Sequence, residues 1–182
     1  MSGNGTSGQA LLSDGDGSFS WGDGAKIIAT HQATNSSRTS LSNTSSRVVF
    51  WNAMTFTKLR SNSKLRICMR IPFGQAGVSY PHFAEGFIRL STGGYSSNGS
   101  DIHGYIHNTR ATSNDMGAIY TSDFVYDTTG TNISGTGTVY VSIGYDSADG
   151  GTLSPAPMWN PNASDQSRSW QSISNIVINE VL

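Results

Sequence analysis

Between Lys64 and Phe73 the chain alternates strictly, with Leu65, Ile67, Met69 and Ile71 spaced by two against Lys64, Arg66, Cys68 and Arg70. A period of two places the aliphatic set on one face and the polar set on the other, as a strand over a core requires and a helix does not allow. The same pattern recurs. Val48 to Thr57 is β-branched and aromatic, with Met54, Phe56 and Lys58 on one parity, and Thr138 to Tyr145 is the most strand-like run. Further strands are expected over Ala25–Gln32, Ala84–Leu90, Ile102–Asn108, Met116–Tyr126 and Ser172–Leu182. No stretch shows a helical period or a cap followed by an apolar stripe. About eight short strands separated by Gly/Ser/Asn/Pro loops are the sequence form of an antiparallel β-sandwich or jelly roll, so the expected class is all-β.

A chain of 182 residues suits one domain with a short appendage. Charged residues make up 13%, about half the ordinary share, and Ser, Thr, Asn and 21 Gly take their place. Outward sheet faces covered by hydroxyls and amides are the consequence. The net charge of −1, with the basic residues scattered, exerts no pull toward nucleic acid or an anionic membrane, so neither is an expected partner. Met1-Ser2-Gly3-Asn4-Gly5 has no charged region followed by an apolar one, and no run is long enough for a membrane-spanning helix. Synthesis in a cytoplasm without membrane insertion is therefore expected. Cys68 is the sole cysteine, which excludes an intrachain disulfide, and its place in an alternating run predicts a buried structural thiol.

The residues that could carry chemistry are few. Asp14-Gly15-Asp16-Gly17-Ser18 resembles the start of a calcium loop, but the twelfth position is Ala25 instead of a bidentate Glu, and no flanking helix is readable. His103 and His107 lie about 13 Å apart on a strand, too far for one ion, and His31 and His82 have no partner nearby in sequence. All four are expected to be exposed strand histidines, and neither metal nor cofactor is expected. A nucleophile elbow, a phosphate loop and a dinucleotide fingerprint are absent. Glu85, Asp101, Asp115, Asp123 and Asp127 supply carboxylates for glycoside hydrolysis, yet no spacing selects a pair, and the chain is not expected to be an enzyme. Arg66 and Arg70 share an outward strand face and are expected to be solvated.

The loop aromatics carry more information. Tyr80, Phe83, Tyr95 and Trp159 fall in segments expected to project from the sheet ends, where they would stack on a ligand or seal the sandwich or a subunit interface. Two long loops frame them, Gly74–Phe83 and Asp146–Ser169, and Ala33–Ser46 reads as a third loop or an edge strand.

Ahead of these strands, Gly8 to Trp21 reads as a small hairpin. Gln9 to Leu12 is extended, Ser13 to Gly17 supplies the turn, and Ser18 to Trp21 returns with alternating polar and aromatic residues. A lone hairpin is marginal in water, so Phe19 and Trp21 require cover from the rest of the chain or from another subunit. Residues 1–7 have linker composition. The expected organisation is a linker and hairpin arm over 1–24 and a β domain over 25–182.

Gly8-Gln9-x-Leu11-x-Ser13-Asp14-Gly15-x-Gly17-x-x-Ser20-Trp21 resembles the connector motif of bacteriophage tail-fibre and other virion surface proteins. Ser61-Asn62-Ser63-Lys64-Leu65-Arg66-Ile67 and the closing Ser172 to Val181, with its Glu180-Val181 pair, are similar to features of the β domain that often follows that motif. The resemblance implies a homotrimer of jelly-roll-like domains, akin to the trimeric complement and tumour-necrosis-factor heads, on the surface of a phage particle. Gly8, Gln9, Leu11, Phe19 and Trp21 would then pack around the three-fold axis or dock on capsid, tail or fibre-shaft proteins. Host-cell glycan or protein is the implied outer partner. Because Met1 precedes the motif almost immediately, the expectation is a short knob, such as a capsid decoration or head-fibre protein, or a fibre whose shaft is a separate chain. The alternative reading is a virion-associated glycan-degrading enzyme.

Overall fold

The alternating runs become strands in the computed structural model, which describes residues 9–22, 26–37, 39–40, 47–76, 82–95, 99–109, 115–147, 158–159 and 173–182. In chain order they are β1 (Ala10–Ser13), β2 (Phe19–Gly22), β3 (Ile27–Asn35), β4 (Thr39–Ser40), β5 (Val48–Lys58), β6 (Lys64–Ala76), β7 (His82–Ser91), β8 (Ser100–Thr109), β9 (Asp115–Asp127), β10 (Gly137–Ser147), β11 (Met158–Trp159) and β12 (Ser174–Val181). Every pairing is antiparallel, and the described residues contain no helix.

Eight long strands form two facing sheets. One has the order β5-β10-β7-β8; in the other, β12 lies between β3 and β6, and β9 pairs the second edge of β6. Consecutive long strands pass from one sheet to the other, except β7 and β8, which form a hairpin within their sheet. This is the jelly-roll arrangement. Beyond the last β12 partner, Arg70, the two-residue β11 pairs Phe73 and Gly74 of β6, and β4 pairs β11 in turn.

The core follows from the period of two. Leu65, Ile67, Met69 and Ile71 of β6 and Ile176 and Ile178 of β12 point inward against Ile88 and Leu90 of β7 and Val139, Val141, Ile143 and Tyr145 of β10. Full burial of each large aliphatic contributes roughly 1.5–3 kcal/mol. On β5 both Trp51 and Phe56 are buried although their parities differ, because the register against β10 slips between them at Ala53; a second slip follows at Phe50. Each extra residue is a β-bulge that turns the following side chains to the other face.

Several boundaries differ from the sequence reading. β3 runs on to Asn35 instead of ending at Gln32, because Ala33 keeps the inward parity and packs on the core beside Ile176. The region of Met116–Tyr126 is one strand, β9, paired along β6 from Asp115 to Asp127. β6 extends to Ala76 and β7 begins at His82, shortening the crossing loop expected between them. His31 is not an exposed strand histidine. It faces inward, half-buried, with its ring stacked on Phe56 at 4.5 Å, and burial pulls its pKa below the usual imidazole value. The side chains of His82, His103 and His107 lie outside the described residues.

Candidate functional site

The arm is a closed hairpin. Its register sets Leu11 opposite Trp21 and Ser13 opposite Phe19, so these four side chains share one face. Asp14 N donates to Ser18 O at 3.1 Å, Ser18 N to Asp16 Oδ1 at 2.8 Å and Ser20 Oγ to Asp14 Oδ1 at 2.7 Å. Gly15 and Gly17 take φ of 83° and 90°, in the left-handed region that glycine enters at no steric cost. The bonds from Ser18 hold the Asp16 carboxyl below its usual pKa. Both aspartates thus serve to close the turn. The large apolar residues of the arm stay substantially exposed: Phe19 is 54% exposed, Leu11 44%, Trp21 39% and Leu12 38%. Among the described residues neither arm strand pairs with a strand of the β domain, and Gly8 lies outside them.

At the end of the domain where this arm joins β3, a polar latch ties the terminal strand to the turn between β5 and β6. Glu180, fully buried, accepts from Leu59 N and Arg60 N, both at 2.8 Å, and from Ser63 Oγ at 2.6 Å. Lys58, also fully buried, donates through Nζ to the carbonyls of Arg60, Ser134 and Gly135. Burial pulls the Lys58 pKa down, and the Glu180 charge opposes it. Asn62 takes φ of 55° and donates its N–H to Ser134 O at 2.8 Å, joining the turn to the segment before β10. The two stretches singled out in the sequence, Ser61–Ile67 and Ser172–Val181, therefore meet through Ser63 and Glu180. Ile27 and Leu59 are each 52% exposed at this same end.

The outward face of the β3-β12-β6-β9 sheet is nearly self-neutral. Arg66 grips Asp123 with Nε at 2.9 Å and Nη2 at 2.6 Å, which holds the Asp123 carboxyl down to about 2 and raises the guanidinium. Arg70 donates to Ile173 O at 2.7 Å, so neither arginine is merely solvated. Cys68 lies on this outward face, half-buried instead of in the core, because the parity that buries Ile67 and Met69 turns it out. Burial pushes its thiol pKa up, away from reactivity. A shallow cavity of about 220 Å³ opens here, lined by Cys68, Met69, Arg70, Ser122, Asn175 and Val177. Asn175 Oδ1 is buried at its wall without a hydrogen-bond partner among the described residues.

The opposite sheet covers its own outer face. Phe87 points outward yet is buried, because its ring lies across Gly144 and the guanidinium groups of Arg47 and Arg89 stand over it at 4.9 and 5.2 Å. Both arginines pair with Asp101. A Cβ on Gly144 would meet the Phe87 ring at 2.2 Å and Val48 O at 2.6 Å, so only glycine fits. Nearer the arm end, Tyr95 bonds Thr55 Oγ1 through its hydroxyl at 2.8 Å, accepts from Ser142 Oγ through its carbonyl at 3.2 Å, and meets Tyr140 edge-on at 5.2 Å.

The loop aromatics do not form one group. Tyr95 lies toward the arm end, near Tyr140 and Ser91. Phe83 and Trp159 belong to strands at the other end, opposite Asn108 and Phe73, and their side chains are outside the described residues, as is Tyr80 altogether. The three carboxylates with described side chains are also apart, and the side chains of Glu85 and Asp115 lie outside the described residues. Asp101 and Asp123 sit on the outer faces of different sheets, each paired with arginine, while Asp127 accepts from Thr129 N at 2.9 Å. Latch, arginine-roofed Phe87 and paired face were not read from the sequence; for Glu180 a signal existed, since it shares the inward parity of Ile176 and Ile178.

Fold and site together define a jelly-roll domain with an apolar hairpin arm at one end. No family model matches the chain, and no curated protein matches it. Among solved structures it is similar to that of infectious bursal disease virus Gt strain, at 10% identity and TM-score 0.48, over 93% of this chain and 35% of that one. The Gx strain structure aligns at 11% identity and TM-score 0.43 over 95% and 41%, and the virus's VP2 subviral particle at 8% and 0.42 over 94% and 42%. The chain thus spans well under half the length of these structures.

Proposed function

We propose that this chain is a non-enzymatic surface protein of a bacteriophage particle, a homotrimeric knob whose β1–β2 arm is its attachment element. The observation that carries the reading is where apolar surface is left uncovered. Of the eight large apolar residues exposed among the described residues, Leu11, Leu12, Phe19 and Trp21 are on the arm and Ile27 and Leu59 are at the end it leaves from. Apolar surface concentrated at one end marks a contact made with something else. The connector-like motif that holds these arm residues supports the assignment to a virion. For self-association, the outward face of the β3-β12-β6-β9 sheet is the suitable one, since its main ion pair is internal and Val125 stands 57% exposed beside Asp123.

Light scattering tests the reading on the intact chain and on the Phe19→Ala/Trp21→Ala variant. A mass of three times the 19.4 kDa chain is expected for the former. A clean monomer under all conditions contradicts the trimer. Turnover of a host polysaccharide by the purified protein contradicts the non-enzymatic assignment. Decoration and host recognition separate functionally: a decoration protein binds empty capsids and raises their melting temperature, whereas a receptor binder adsorbs to cells and blocks infection.

A further inference from the structure

We propose that His31 is an acid-sensitive closure between the two sheets: its neutral ring holds the edge strand β3 against β5, and its protonation in mild acid lets that edge open at the root of the arm. β3 and β5 are the edge strands of their sheets, and no strand pairing joins them among the described residues. Side-chain packing spans the gap instead, with the His31 ring stacked on Phe56 at 4.5 Å and 25° between planes. β3 begins at Ile27, five residues after the arm ends at Gly22, so a movement of this edge is felt where the arm joins the domain.

The surroundings suit a neutral ring and not a charged one. Ala29, His31 and Ala33 share the inward parity of β3 and lie opposite Glu180, Ile178 and Ile176 of β12. His31 Nε2 is buried with no hydrogen-bond partner among the described residues. In a neutral imidazole one nitrogen is an acceptor, whereas protonation makes both nitrogens donors and adds a charge. A buried charge without an acceptor costs far more than an unmet neutral acceptor. The face of the Phe56 ring attracts a cation, but by less than that cost.

The charged groups that face His31 from the strands packed on it are Glu180 and Lys58, and β3 itself carries no other charged side chain. Glu180 stands two residues beyond the partner Ile178 and already accepts from Leu59, Arg60 and Ser63. Lys58 stands two residues beyond Phe56 on the same parity and is a second cation for an imidazolium to meet. Ile67, beside Ile178, and Val139, beside Phe56, offer no acceptor. The balance agrees with the direction of the His31 pKa, which burial lowers and the Glu180 charge only partly restores.

The sign follows from linkage. The unfolded imidazole protonates near its ordinary 6.5 and the folded one below it, so the stabilising effect is complete above that value and is lost as pH falls. The test uses the full chain and His31→Phe, which keeps a ring on Phe56 and does not titrate. Between about pH 7.5 and about pH 5.5 the folding constant of the native chain, from urea denaturation, should fall about threefold or more relative to that of the variant, within the tenfold per pH unit that one proton allows. His82, His103 and His107 are present in both chains, so the difference belongs to His31. Amide exchange at the lower pH should show β3 less protected in the native chain than in the variant, with β10 alike in both. Should His31→Phe not fold, His31→Gln replaces it, and an NMR titration of the His31 ring in the native chain, with a midpoint expected below 6.5, requires no variant. Equal pH dependence in the two chains, equal protection of β3, a loss of protection shared by β10, or a ring that titrates at 6.5 or above each overturns the proposal. None of these readouts involves a particle, so their failure leaves the attachment reading standing, and their success does not depend on it.

Discussion

Replacing Glu180 by Ala should be among the most damaging single changes in this molecule. The carboxylate is fully buried and accepts three hydrogen bonds, two from the backbone N–H groups of Leu59 and Arg60 and one from Ser63 Oγ. Hydrogen bonds to a charged acceptor contribute roughly 1.5–3 kcal/mol each where water is excluded. The two N–H groups are only partly buried, so water replaces some of that, and a loss of about 3–4 kcal/mol is expected in total. Lys58 would also lose the only charge among the described residues that offsets its burial. Against a typical domain stability of about 5–15 kcal/mol, this shifts the urea midpoint strongly at an unchanged slope. Ser63→Ala alone should cost about 1 kcal/mol, and the double variant should cost less than the sum because the two groups share a bond. A Glu180→Ala protein within about 1 kcal/mol of the native one, or strict additivity with Ser63→Ala, would refute the latch.

Other consequences follow from the two outer faces and the arm. Gly144→Ala forces a Cβ into the Phe87 ring and the Val48 carbonyl and should cost about 2–4 kcal/mol by chemical denaturation; Phe87→Leu in the same chain should restore part of it, and no cost would mean that the ring does not lie across this glycine. Asp123, held down to about 2 by Arg66, is depressed from the ordinary 3.8, so its stabilising effect is present above that value and lost as pH falls toward 2. Denaturation of Asp123→Asn across pH should show a difference from the native protein at pH 7 that closes by about pH 2, and a difference that persists there contradicts the ion pair. Phe19→Ala/Trp21→Ala should abolish attachment to the particle or reduce the assembled mass while the melting temperature of the β domain stays unchanged; loss of the domain's cooperative melt would make the arm part of its core.

The jelly roll was legible because its strands obey a local rule. Leu65 to Ile71 and Ile176 to Ile178 declare their inward face by parity alone, and parity requires no knowledge of the partner strand. Features that depend on a partner were hidden. The bulges at Phe50 and Ala53 exist only in register with β10, and Glu180 meets Ser63 across 117 residues of sequence. Lys58 continues the parity of Phe56 into the core, which charge argues against until the carbonyls of Ser134 and Gly135 are in view. The arm was readable as a hairpin from its turn residues. That its strands pair with neither large sheet among the described residues came only from the fold, as did the separation of Tyr95 from Phe83 and Trp159 and the position of Arg47 and Arg89 over one ring.

The most direct measurement of the central claim is made on particles. On the proposed virion assignment, an antibody raised against the β domain should label the surface of particles purified from the source that encodes this chain, with the Phe19→Ala/Trp21→Ala chain absent from particles assembled in its presence. A chain that is abundant in the lysate but missing from purified native particles would contradict the account.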